Sequence, residues 1–184
     1  MFKTILSCLL LLSSNIFAQD QNLNINNHHP YHETVKQLIT PVLIGQYDLR
    51  VYGFNVYNIK LFSEKEKFSY DKKFAIEINY KMNFSKKDLV KKTIAEIARI
   101  QKITDKKQLI VYEGEFMQIF LDVQKGDSKV AIFSPRKGVD LFFNHQLVGS
   151  IADLKLARFF VDIWLSKNSS YPQMTATILG EKND

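Results

Sequence analysis

Cysteine is all but missing from this chain: Cys8 is the only one. It falls inside a leader that reads as removable, so the remaining residues can form no disulfide and offer no thiolate to a metal or a substrate. Histidine is nearly as scarce. His28, His29 and His32 crowd near the N-terminus, and His145 stands alone in the later sequence. No Gly-rich phosphate loop, no G-x-S-x-G and no H-E-x-x-H is present, which removes the common nucleotide, serine-hydrolase and zinc-protease signatures. No stretch reaches about 18 uninterrupted apolar residues, the length a membrane-spanning helix needs. Lysine and arginine outnumber aspartate and glutamate by 25 to 19. That surplus is almost all lysine, spread along the chain without a basic helix interleaved with aromatics. It reads as a solvated surface and not as a nucleic-acid interface.

What is present begins with an export signal. Met1-Phe2-Lys3 is a short basic start, Ile5 to Leu12 is apolar but for Ser7 and Cys8, and Ser13 to Ala18 is a small, polar exit. Cleavage is expected after Ala18, which makes residues 1–18 a signal peptide and the product periplasmic or secreted. Residues 19–40 are Asn/Gln-rich at first and read as a loose lead-in. Its three histidines could hold a metal. Pro30 breaks any helix there, however, and no carboxylate or cysteine follows at ligand spacing, so solvation is the favoured reading and no metal or cofactor is assigned. Residues 41–180 are long enough for one domain with a sizeable core.

Within that domain the hydrophobic period changes three times. Pro41 to Ser63 reads as two strands or one long bent strand, with Gly45 and Gly53 marking bends or bulges. Along Phe54 to Phe62, Phe54, Val56 and Lys60 fall on one face and Asn55, Tyr57, Ile59 and Leu61 on the other. Phe74, Ile76, Ile78 and Tyr80 share a face of a third strand. Ser85 and Asp88 form a capping box that opens a helix with Val90, Ile94, Ile97 and Ala98 as its stripe. Thr104 is the expected cap of a second helix, which carries Leu109, Tyr112, Phe116, Ile119, Phe120 and Val123 and stops at Gly126. Three strand patterns follow, Asp127 to Phe133, Val139 to Phe143 and Gln146 to Ser150, with Asn144-His145 placed at a tight hairpin turn. Ser150 and Asp153 suggest a second capping box. The helix after it is apolar on most of its circumference and so must be covered on several sides. Only Lys155, Arg158, Asp162 and Ser166 form a polar stripe on it, with Arg158 and Asp162 spaced for an i,i+4 pair. Tyr171 to Leu179 suggests a last short helix.

Arg50 is the residue that draws attention. The chain has four arginines, Arg50, Arg99, Arg136 and Arg158, and Arg50 alone lies within a strand pattern among aromatics. A guanidinium on a sheet face can grip a carboxylate or enolate in a bidentate fork. The plainer alternative is an exposed strand residue or a partner for Asp48. Tyr52, Tyr57 and Tyr80 could bring hydroxyls near it, although tyrosines at such positions also pack simply as core aromatics.

Two blocks together resemble one family. The first runs from Gly45 to Phe62 (GQYDLRVYGFNVYNIKLF). The second is Lys125-Gly126-Asp127 with the later Asn144, Gly149, the Phe160 to Leu165 helix and Leu179-Gly180. In this order they resemble the exported bacterial chalcone-isomerase-like proteins, from about Pro41 to Gly180. The resemblance implies an α+β fold, an open-faced β-sandwich in which a large antiparallel sheet carries helices on one face. The family's plant enzymes close a flavanone ring with an Arg on an early strand and a Thr, a Tyr and an Asn around the ligand. Arg50 matches that Arg. The Thr position falls near Tyr57, and the Tyr position near Asp88 or Leu89, so the anion grip is kept and most proton-handling groups are not. Non-catalytic relatives bind fatty acids through the Arg. The resemblance therefore implies a domain that binds a small apolar carboxylate through Arg50; Tyr52, Tyr57 and Tyr80, read from their own place in the sequence, join it as the expected ligand-binding residues. An isomerase acting on an enone, or an envelope structural protein, are the alternatives.

Overall fold

Period-two alternation and tight turns build one antiparallel sheet. The computed structural model describes residues 33–181; the signal segment and His28, His29 and His32 lie outside them. Six strands follow in chain order, β1 (Val42–Val51), β2 (Phe54–Ser63), β3 (Phe74–Tyr80), β4 (Ser128–Ser134), β5 (Gly138–Phe143) and β6 (Gln146–Ile151). Their order across the sheet is the same as their order in sequence. Four helices complete the domain, α1 (Lys86–Gln101), α2 (Lys106–Ile119), α3 (Leu154–Leu165) and α4 (Pro172–Ile178). This is the expected α+β architecture, and among the described residues no helix is long and apolar enough to cross a membrane.

The turns explain the hairpins. Tyr52 (φ 49°) and Gly53 (φ 83°) join β1 to β2, and Asn144 (φ 44°) and His145 (φ 75°) join β5 to β6. Two left-handed residues in succession are what a two-residue hairpin turn needs to match the twist of its strands. Gly45 sits at a register shift between β1 and β2. A Cβ there would run into the carbonyl oxygens of Thr177 and Ile178, so a side-chain-free position lets α4 lie against β1.

One sheet face meets the helices. Leu49, Ile59, Leu61, Phe74, Ile76, Ile78, Tyr80, Ala131, Phe133, Val139 and Leu141 pack there against Val90 and Ile97 of α1, Tyr112 and Phe116 of α2, and Leu156, Phe160 and Val161 of α3. Each such fully buried Leu, Ile or Phe is worth roughly 1.5–3 kcal/mol. The opposite face is not bare. A short 3-10 helix, Glu33–Gln37, places Val35 and Leu38 over Phe62, Ala75, Val130, Ile132 and Phe142. The end of the stretch read as a loose lead-in is therefore structured, held by apolar residues that its polar neighbours conceal.

Three helix boundaries differ from the sequence reading. The cap of α2 is Asp105, whose side chain accepts from the Lys107 N–H, and not Thr104. That helix stops at Ile119, well before Gly126, because Val123 turns away to bridge with Phe84. The cap of α3 is Asp153 alone. Ser150 belongs to β6 and gives its hydroxyl to Asp140 at 2.6 Å. The Ser85 cap of α1 holds, with the Asp88 N–H donating to Ser85 Oγ at 3.1 Å.

Candidate functional site: an aromatic interior with buried polar tips

The inner sheet face ends, toward the C-terminus of β3, in two tyrosines. Tyr57 and Tyr80 are register partners across β2 and β3, and their rings meet edge to face at 6.5 Å. Helix α3 supplies the wall opposite. Trp164 donates its indole N–H to the Tyr57 hydroxyl at 3.2 Å, and that hydroxyl donates to Met174 Sδ of α4 at 3.7 Å. Phe160 stacks edge-on to Trp164 at 5.3 Å and lies 6.1 Å from Phe120. Burial pushes the Tyr57 hydroxyl far above the ordinary phenol range, and the bond from Trp164 pulls back only part of that. Burial likewise raises Tyr80, with a smaller contribution from Tyr57 beside it.

Lys129 is the unexpected member of this interior. It is the second residue of β4, paired with Ile78 of β3 and Phe143 of β5, and shares its inward face with Ala131 and Phe133. The residue is 5% exposed, and among the described residues its ammonium has no hydrogen-bond partner. The nitrogen instead lies 4.0 Å from the centre of the Phe120 ring and 5.9 Å from that of Tyr80. Loss of water pushes its pKa down to about 8.

The turn before β4 fixes where this lysine points. Tyr80 and Gly126 exchange backbone contacts with the turn, Tyr80 N–H to Asp127 O and Gly126 N–H to Tyr80 O, both 2.9 Å. Asn144, in the left-handed conformation, accepts from the Ser128 N–H and donates to the Asp127 carboxylate, each at 2.9 Å. The Lys125-Gly126-Asp127 and Asn144 elements thus clamp the start of β4 between two turns, one residue before Lys129.

Arg50 does not join this group. Leu49 is buried and Val51 is half-buried against the core, so strand alternation turns Arg50, between them, out to an exposed position. Its strand partner is Asn55, beside a second register shift. The Asp48 carboxylate accepts from Asn58 at 3.0 Å, and among the described residues no ion pair joins it to Arg50. Tyr52, at the hairpin tip, is 97% exposed. Of the four residues singled out from sequence, the structure brings Tyr57 and Tyr80 together and leaves Arg50 and Tyr52 at the exposed end of the β1–β2 hairpin.

Among the hollows on the surface of the described residues are two of moderate size. One of about 390 Å³ lies on the outer sheet face, lined by Asp48, Asn58, Lys60, Glu77, Asn79 and their neighbours. There Lys60 bridges to Glu77 at 3.3 Å, and Asn79 donates to the same carboxylate at 2.7 Å. The other, about 520 Å³, lies at the β1 edge beside Ile44, Phe68, Leu179 and Gly180. The polar stripe of α3 is committed elsewhere: Asp162 accepts from Arg158 at 2.9 Å, from Tyr70 at 2.8 Å and from Gln101 at 3.2 Å.

Comparison with known proteins fits this architecture. A family model described as chalcone isomerase-like matches residues 47–180. A solved structure, a fatty-acid binding protein of Arabidopsis thaliana, superposes with a TM-score of 0.57 at 11% identity, covering 77% of this chain and 87% of its own. At that identity the likeness is one of fold. No curated protein is significantly similar in sequence.

Proposed function

The chain belongs to the chalcone isomerase-like family, and from that premise we propose that it binds a small apolar carboxylate, such as a fatty acid, without catalysing a reaction on it. The supporting observation is the interior between sheet and helices, where the polar tips of Tyr57, Tyr80 and Trp164 are set among aromatic rings. An apolar lining with a few convergent polar groups is the usual make-up of a site for a small apolar ligand. The solved relative named above, itself a fatty-acid binding protein, supports the same ligand class. Tyr57 and Tyr80 border the ligand in this reading. Residues 1–18 act as an export signal, so the ligand is met in the periplasm or outside the cell.

An isomerase working on an enone needs a group that exchanges a proton near the working pH. Tyr57 and Tyr80 are both raised far above it by burial, His145 lies exposed at a hairpin turn, and Lys129, lowered to about 8, has no hydrogen-bond partner among the described residues through which to pass a proton. These features favour binding over turnover. The test is calorimetric titration of delipidated protein with oleate, beside absorbance assays on a chalcone panel. Saturable oleate binding without chalcone turnover is expected. A chalcone consumed faster than in buffer alone would overturn the non-catalytic reading, and heat of dilution alone would overturn the ligand class.

A further inference from the structure

We infer that Lys129 is the residue that receives the carboxylate, so that the anion is bound at the sheet–helix interface and not at the exposed hairpin where Arg50 lies. This rests on the ligand class proposed above and assigns its anchoring residue.

The fold itself has no need of an ammonium at position 129. Its neighbours along the same face, Ala131 and Phe133, are core residues, and an apolar side chain would fill the position without electrostatic cost. A buried ammonium with no hydrogen-bond partner is among the more unfavourable groups a core can hold. The Phe120 ring at 4.0 Å compensates in part, since a ring face attracts a cation. It supplies no acceptor for any of the three N–H bonds. An incoming carboxylate supplies that acceptor and the opposite charge together, a charge-assisted hydrogen bond in a setting from which water is excluded. The surroundings choose the rest of the ligand. Phe120, Tyr80 and Phe143 adjoin the lysine, and Phe84 lies 6.0 Å from Tyr80, so the group attached to the carboxylate must be apolar. Phe120 is the ring to be displaced. It follows the last turn of α2 and lies over the ammonium at 4.0 Å.

The test uses the full-length exported protein, delipidated, with oleate and the uncharged oleyl alcohol as paired probes. Wild type is compared with Lys129→Met, Lys129→Gln and Arg50→Ala. The expected result is that both Lys129 variants bind oleate roughly ten- to a hundredfold more weakly, the range set by a lost hydrogen bond to a charged group. Their affinity for oleyl alcohol stays near that of wild type, and Arg50→Ala behaves as wild type. Should Lys129→Met fail to fold, Lys129→Gln carries the same prediction. Equal oleate affinity in wild type and the Lys129 variants overturns this assignment while leaving the ligand class intact, and a loss confined to Arg50→Ala moves the anchor to the hairpin. No oleate binding by wild type removes the ligand class and this assignment with it.

Discussion

Replacing Lys129 by methionine should stabilise the protein, and the gain should depend on pH in a defined way. The lysine is 5% exposed, and burial takes its pKa from the ordinary 10.5 to about 8. Below pH 8 it is protonated in both folded and unfolded chains, and the folded state carries the full penalty of the buried charge. Between pH 8 and 10.5 the unfolded chain keeps a proton that the folded chain has shed. Unfolding then takes up protons, so rising pH favours the folded state. At about 1.36 kcal/mol for each pH unit, the penalty relieved is on the order of 3 kcal/mol. Methionine fills a similar volume without charge, while the attraction to the Phe120 ring, worth about 0.5–2 kcal/mol, is lost. The variant should therefore gain about 1–3 kcal/mol at pH 7, a rise in Tm of roughly 3–10 °C, and little at pH 11. Tyr80, whose ring centre lies 5.9 Å from the ammonium, is raised by burial; its titration is common to both proteins and drops out of the difference. Urea unfolding of both proteins at a series of pH values measures it. A Lys129→Met protein that is less stable at pH 7, or whose difference from wild type is flat from pH 7 to 11, would refute the reasoning.

Three further outcomes are expected. Gly45→Ala forces a methyl group into the Thr177 and Ile178 carbonyls and should cost roughly 1–3 kcal/mol, seen as a lowered urea midpoint with unchanged slope. Tyr57→Phe leaves the Trp164 N–H without its acceptor at 3.2 Å, which should cost about 1–2 kcal/mol and red-shift the Trp164 emission, the chain's one tryptophan, if water enters. Glu96 is subject to opposing effects: burial raises its pKa, but hydrogen bonds from Arg99 and Ser170 outweigh it and hold it below the ordinary value. Its contribution is present above the carboxyl's unfolded pKa and is lost as pH falls through the folded one, so Glu96→Gln should flatten the acid limb of the stability curve measured by chemical denaturation.

The sheet was legible because its signals were local. Alternation placed Tyr57, Ile59 and Leu61 on one face and Phe74, Ile76, Ile78 and Tyr80 on another, and both faces look onto the helices. Asn144-His145 announced its hairpin through residues tolerant of positive φ. The Arg158–Asp162 pair followed from spacing alone and is present at 2.9 Å. The caps were harder, because Thr104 and Asp105, or Ser150 and Asp153, offer competing oxygens within one turn. The burial of Lys129 is illegible for a deeper reason. Both faces of β4 are apolar: Val130 and Ile132 meet the 3-10 segment, and Ala131 and Phe133 meet the helices. Alternation groups Lys129 with Ala131 and Phe133 but does not say which face meets the helices, and a lysine at the head of a strand reads as solvated. Arg50 differs in the opposite sense: it is exposed. Aromatics flank it in sequence, yet Tyr52 caps an exposed turn and Leu49 and Val51 hold the inward places. Of the three-dimensional neighbours of Lys129, Phe120 comes from the end of α2 and Tyr80 from across both α1 and α2, and no local pattern carries that information.

Native mass spectrometry of gently purified protein tests the central claim most directly. Wild type is expected to carry a fatty-acid adduct that is lost on delipidation and restored by oleate, and Lys129→Met should appear at its bare mass under the same conditions. An adduct-free wild type that oleate cannot load, or an equally loaded Lys129→Met, would contradict it.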